Sequence, residues 1–167
     1  MAEIYKDEIK NGIRTISFVP YAIDLNTKDR GIVNFNVKFV AVNDSISTKF
    51  TFCICYNTKN SQLNISGDKR LLFYDRNKNV CVIKSGNCPG LFSSVQPGFN
   101  IAISHSYEIE DSQIENLKLL GWSFLRVETN TSFFETTNNS SLAAHLYECI
   151  QISKQALKNT SEYFFNI

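Results

Sequence analysis

Two histidines, five cysteines and a short acidic cluster are the side chains of this 167-residue chain best suited to chemistry. A serine or cysteine nucleophile needs a base to take its proton, and imidazole titrates in the right range to do so. His105 stands close to Glu108, Glu110 and Asp111, where a carboxylate could orient a catalytic ring. The same spacing suits a solvated histidine at a strand end, and that is the role expected of it. His145 falls three residues after Leu142 and four before Cys149, so it borders the apolar stripe of a helix. Packing or capping is expected there rather than catalysis. No G-x-S-x-G, H-E-x-x-H or EF-hand pattern occurs, and Gly86, Gly90 and Gly98 miss the spacing of a phosphate-binding loop.

Cys53, Cys55, Cys81, Cys88 and Cys149 are an odd number in a chain whose first residues carry charges where a signal peptide needs an apolar run. Reduced thiols and a cytoplasmic location are the expectation. Cys53 and Cys55 would share one strand face about 7 Å apart, too far for a disulfide. With no Cys-x-x-Cys and no paired Cys/His groups, no metal site and no cofactor are expected. Glu108, Glu110 and Asp111 already have an electrostatic explanation, because anions favour helix N-termini.

The elements that must position these groups begin with two long alternating segments. Val33, Phe35, Val37, Phe39 and Ala41 oppose Asn34, Asn36 and Lys38, and Phe50, Phe52, Ile54 and Tyr56 oppose Lys49, Thr51, Cys53 and Cys55. Period-two alternation marks half-buried strands, and the turn Asn43-Asp44-Ser45 makes them an antiparallel pair. Weaker alternation precedes them from Arg14 to Leu25, broken at Pro20, and short strands follow at 62–66, 70–74 and 80–83. A Gly- and Pro-punctuated loop over 85–98 leads to a strand near Phe99 to Ile103. Asp111 or Ser112 then starts a helix carrying Ile114, Leu117 and Leu120, with Ser112 and Glu115 spaced as a capping box. A strand over 122–128, a polar loop over 130–141 and a helix from about 140 to 158 complete the chain.

The strand–helix–strand unit resembles the tail of some PD-(D/E)xK nucleases, in which a Gly-Trp turn leads into a strand carrying an arginine. The matching residues are Ile101 to Ile103, Ile114 to Leu120, Gly121-Trp122 and Arg126. The acidic residue and E-x-K element that hold Mg²⁺ in such nucleases are missing where they belong, and Glu8-Ile9-Lys10 stands at the wrong end. No family is assigned on this basis, and a metal-dependent nuclease-like domain is the least favoured function.

Composition bounds the rest. A chain that is 43% hydrophobic and 13% aromatic can build one core. Its net charge of +1 gives no long-range field for nucleic acid or anionic lipid. The densest basic group, Lys69-Arg70 with Arg76 and Lys78, falls around turns and reads as solvated. No apolar run approaches the roughly 20 residues that span a bilayer. The abundance of Lys, Asn, Ile and Phe suits an AT-rich coding sequence, a hint of a bacterial or phage source.

The expectation is a single α+β domain over residues 1–167. It comprises a β-meander over about 14–84, the strand–helix–strand unit over about 99–128 and a C-terminal helix over about 140–158. A twisted antiparallel sheet of about 6–8 strands should have one face covered by two helices, the longer one C-terminal. The expected function is non-enzymatic binding of another protein, of the immunity, antitoxin, phage accessory or adaptor type, or self-association. The alternative is a small-molecule or nucleotide pocket walled by Phe35, Phe39, Phe52, Ile54 and Tyr56. The aromatic run Tyr163-Phe164-Phe165 is a candidate interface, set against its folding back to close the core.

Overall fold

The computed structural model of the protein describes residues 2–27, 31–58, 69–77, 79–87, 101–118, 124–128, 133–137 and 140–165. Ten strands and two helices follow in the order β1 (Ile4–Lys10), β2 (Ile13–Phe18), β3 (Tyr21–Thr27), β4 (Gly31–Asn43), β5 (Thr48–Thr58), β6 (Leu71–Tyr74), β7 (Val80–Ser85), β8 (Ile101–Ile109), α1 (Asp111–Lys118), β9 (Phe124–Glu128), β10 (Phe133–Thr137) and α2 (Ser140–Phe165). The α+β class and the long C-terminal helix agree with the sequence. No helix among the described residues is long and apolar enough to cross a membrane.

All pairings are antiparallel, and they close on themselves. Running β3–β4–β5–β8–β7–β6–β9–β10 returns to β3, where Thr136 pairs with Thr27. β1 and β2 are added along β4 beside this ring. β2 and β3 share one edge of β4, and Val19-Pro20 interrupts them where proline cannot donate to the ladder.

Turn chemistry explains the hairpins. Asn11 (φ 54°) and Gly12 (φ 77°) supply the two positive-φ positions of a tight turn between β1 and β2. Between β4 and β5 the Asp44 carboxylate accepts the amides of Ile46 and Ser47 at 2.8 and 2.7 Å. Those bonds hold its pKa below the ordinary carboxylate value. Asp75 does the same for Asn77 and Asn79 between β6 and β7.

The core lies on the ring's inner face. Phe39 meets Phe18 edge-on at 5.4 Å and Phe50 at 6.2 Å, and Phe52 stacks on Tyr107 at 5.2 Å. Leu71, Phe73, Leu125 and Val127 join them from the far side, with Ile114 and Leu117 of α1 and Leu142, Leu146 and Ile150 of α2. Each fully buried Phe contributes about 1.5–3 kcal/mol through burial.

Five expectations need correction. Among the described residues the strands number ten rather than about six to eight, since β1 carries the charges of an exposed edge and β10 lies in a polar stretch. The stretch expected to be a loop over 130–141 contains β10 at Phe133–Thr137. The strand near Ile103 runs on to Ile109. α2 continues to Phe165 instead of stopping near Lys158, since neither Gly nor Pro occurs along it to end it. The strand expected over 62–66 lies outside the described residues. β5 is also more than half-buried: Thr51 and Cys53 on its outer face are as hidden as Phe52, with Val40 beside Cys53.

Candidate functional site

The structure brings Phe35, Phe39, Phe52 and Ile54 together as closely packed core, none more than 1% exposed. Neither of two cavities that open on the described surface touches these four. Tyr56 pairs with Ile103 in the ladder, but its side chain lies outside the described residues, as do those of Tyr163, Phe164 and Phe165.

The histidines are placed by their strand and helix. His105 sits mid-strand opposite Ile54, on the face that Tyr107 shares, and its ring meets Tyr107 edge-on at 5.0 Å. Glu108 is three positions away and so faces the other side, which separates His105 from the carboxylates the sequence placed beside it. The expected solvated strand-end position is thus replaced by a half-buried one. His145 stacks on Tyr21 of β3 at 4.2 Å, and burial lowers its pKa below the ordinary value. Its Nε2 lies 3.5 Å from the Cys149 sulfur. Burial pushes that thiol's pKa far up, so the pair lacks the thiolate a nucleophile needs. Cys81 is likewise raised to about 11 by burial. Cys53, Cys55, Cys81 and Cys149 are free thiols, and no group of three His, Cys, Asp or Glu among the described residues could hold a metal.

Of the basic group, Arg70 is committed to Glu128, donating from its backbone amide, Nε and Nη2 at 2.8–3.0 Å. Glu8-Ile9-Lys10 is on β1, with four strands between it and Arg126 on β9. The geometry therefore keeps apart the two pieces of the nuclease-like pattern.

The arrangement best suited to recognition is on the ring's outer face, where β7, β6, β9 and β10 lie side by side. Alternation along these strands sends Leu72, Tyr74, Val80, Arg126, Phe133 and Glu135 outward, because Leu71, Phe73, Cys81, Leu125 and Val127 point in. Register places Leu72 opposite Arg126, and Arg126 opposite Glu135. The Arg126 guanidinium donates from Nε to Glu135 Oε1 at 2.8 Å and from Nη2 to the same oxygen. It lies 4.1 Å from the centre of the Phe133 ring on one side and 5.4 Å from Tyr74 on the other. Burial opposes the charge on Arg126, but Glu135 and Tyr74 beside it carry its pKa upward.

Leu72, Tyr74, Asp75, Val80 and Arg126 line a cavity of about 380 Å³ open to solvent. Its walls are apolar, with a carboxylate and a guanidinium as its charged groups. Phe133 and Val80 are 44% and 49% exposed. A second hollow of about 500 Å³ lies between the Ile46–Thr48 turn, the start of α1 and Lys154 of α2, with a more polar lining. The sequence named Arg126 only within the nuclease-like pattern and missed Tyr74, Phe133 and Glu135. The available signal was the alternation Phe124-x-Arg126-x-Glu128 followed by Phe133-x-Glu135-x-Thr137.

Comparison with known protein families, characterised proteins and solved structures found no match.

Proposed function

We propose that this is a non-enzymatic binding protein that holds a protein partner on the outer face of β7, β6, β9 and β10. One observation carries the reading: a guanidinium fixed between two aromatic rings and a nearly buried Glu135, at the wall of an open apolar cavity. Cation–π contacts and a charge-assisted bond immobilise Arg126 before anything binds, which reduces the entropy lost on association. Arginine and aromatic residues are the types that dominate binding hot spots. The partner suited to this surface presents an apolar side chain to the cavity, flanked by polar groups that meet Asp75 and Arg126. The free thiols fit a reducing, cytoplasmic setting, and an immunity, antitoxin, phage accessory or adaptor role would use such a surface.

The test compares captures from the protein's own cells by the wild type and by Phe133→Asp and Arg126→Ala. A partner held by the wild type and lost by both substitutions, with unchanged circular dichroism, supports the assignment. A partner retained by both substitutions, or turnover on a substrate panel, overturns it.

The cavity itself favours a second reading. Its volume lies in the range of small-molecule sites, roughly 300–1,000 Å³. A compact ligand with an aromatic body would seat between Leu72, Tyr74 and Val80. Native mass spectrometry of protein purified from its own cells separates the two, since a bound ligand mass favours this one.

A further inference from the structure

β1 is the one described strand paired on a single side; every other strand has neighbours on both. Of the seven large apolar side chains that stand exposed among the described residues, Tyr5, Ile9, Ile13 and Val19 lie on or beside the β1–β2 hairpin. The two-residue turn makes Lys10 and Ile13 a hydrogen-bonded pair, and bonding alternates along the strands from there. The backbone groups of Lys6, Glu8 and Lys10 are therefore taken up by β2, while those of Asp7 and Ile9 point to the open edge.

We propose that a second copy of this chain docks here, β1 antiparallel to β1 about a two-fold axis at Asp7. Centred there, Lys6 faces Glu8 of the partner subunit and Tyr5 faces Ile9 of the partner subunit, each contact occurring twice. The Lys6–Glu8 positions fall at non-hydrogen-bonded sites, where opposing side chains come closest. The two Asp7 carboxylates meet across the axis, and each is already compensated by Arg14 of its own subunit at 2.6 Å. Neighbouring registers are disfavoured by charge. Centring on Lys6 opposes two lysines, and centring on Glu8 opposes two glutamates and sets Lys6 against Lys10. An edge protected merely by charge has no need of one self-complementary register. This interface does not depend on the outer-face site around Arg126, which is on the other side of the ring in strand order.

A single strand–strand seam is a small interface, below about 1,200 Å², so the dimer belongs to the weak class. Sedimentation velocity across a series reaching about 500 µM should show a concentration-dependent dimer, weakened by salt. Lys6→Glu and Glu8→Lys should each raise the dissociation constant at least about tenfold, by replacing two attractive pairs with two repulsive ones. The double variant Lys6→Glu/Glu8→Lys should return to within about threefold of the wild type, which separates pairing from misfolding. Ile9→Pro removes an edge-facing amide without touching the β2 ladder and should give a monomer. A wild-type monomer throughout the series, a dimer indifferent to Lys6→Glu and Ile9→Pro, or a double variant that stays dissociated would overturn the proposal.

Discussion

Tyr21 and His145 stack face to face, their ring centres 4.2 Å apart and their planes 13° from parallel. This contact ties the first residue of β3 to the second turn of α2 and places the imidazole where water is scarce. Burial disfavours the imidazolium, so His145 titrates below 6.5 in the folded protein and near 6.5 when unfolded. Between those values the unfolded chain binds more protons. The stabilisation is therefore complete above pH 6.5 and is lost as pH falls through the lowered folded value. Proton NMR titration should find His145 with a depressed pKa, and His145→Gln should flatten the acid limb of the Tm–pH curve. A normal pKa for His145 would contradict the contact.

Gly86 sits at one of the short joins of the ring. β7 and β8 pair only at Lys84–Glu108 and Ser85–Tyr107, after which the Gly86 amide donates to the Ser106 carbonyl at 3.1 Å. A Cβ at this glycine would lie 2.6 Å from the Glu108 Cβ and 3.0 Å from its amide nitrogen. Backbone must move to admit it. Gly86→Ala should therefore cost about 2–3 kcal/mol in denaturant unfolding, the range of an overpacked interior site. A neutral substitution would show that the join tolerates displacement.

How far the chain could be read without coordinates follows from the same residues. β4 and β5 were legible because every second side chain is apolar from Val33 to Ala41 and again from Phe50 to Tyr56, a pattern that suits a pleated strand. β1 was hidden because Lys6, Asp7, Glu8 and Lys10 carry the chemistry of an exposed edge rather than of a packed face. β10 was hidden because Glu135 and Thr136 are buried polar residues, and Glu135 finds its charge partner Arg126 on another strand. Ring closure rests on the pairing of Thr27 with Thr136, a contact between residues over a hundred positions apart that local periodicity cannot encode. The Arg126 site follows the same logic, since Tyr74, Arg126 and Phe133 are neighbours only across three strands.

Core and binding face can be separated by their response to truncation. Phe52 is fully buried against Tyr107, so Phe52→Ala should cost about 3–5 kcal/mol. Phe133 is 44% exposed and touches Arg126. Phe133→Ala should cost about 1 kcal/mol or less, chiefly the cation–π contact. Equal losses in urea titrations would mean that the outer face is structural core rather than a surface held ready for a partner.

The Arg126–Glu135 pair gives the sharpest test of that readiness. Glu135 is only 8% exposed, whereas the Arg126 side chain is 38% exposed and partly screened by water. Removing the guanidinium takes a charge partner from a nearly buried carboxylate, which is worse than removing both charges together. Arg126→Leu should destabilise by about 1–3 kcal/mol, discounted from the fully buried case for the exposure of the arginine. Arg126→Leu/Glu135→Leu should recover most of that loss, because it removes both charges of the pair together. A double-mutant cycle in urea measures the coupling directly. If the double variant regains stability but loses the partner, the charge pair was kept for recognition at the expense of stability; if it retains the partner, the aromatic rings alone make the site.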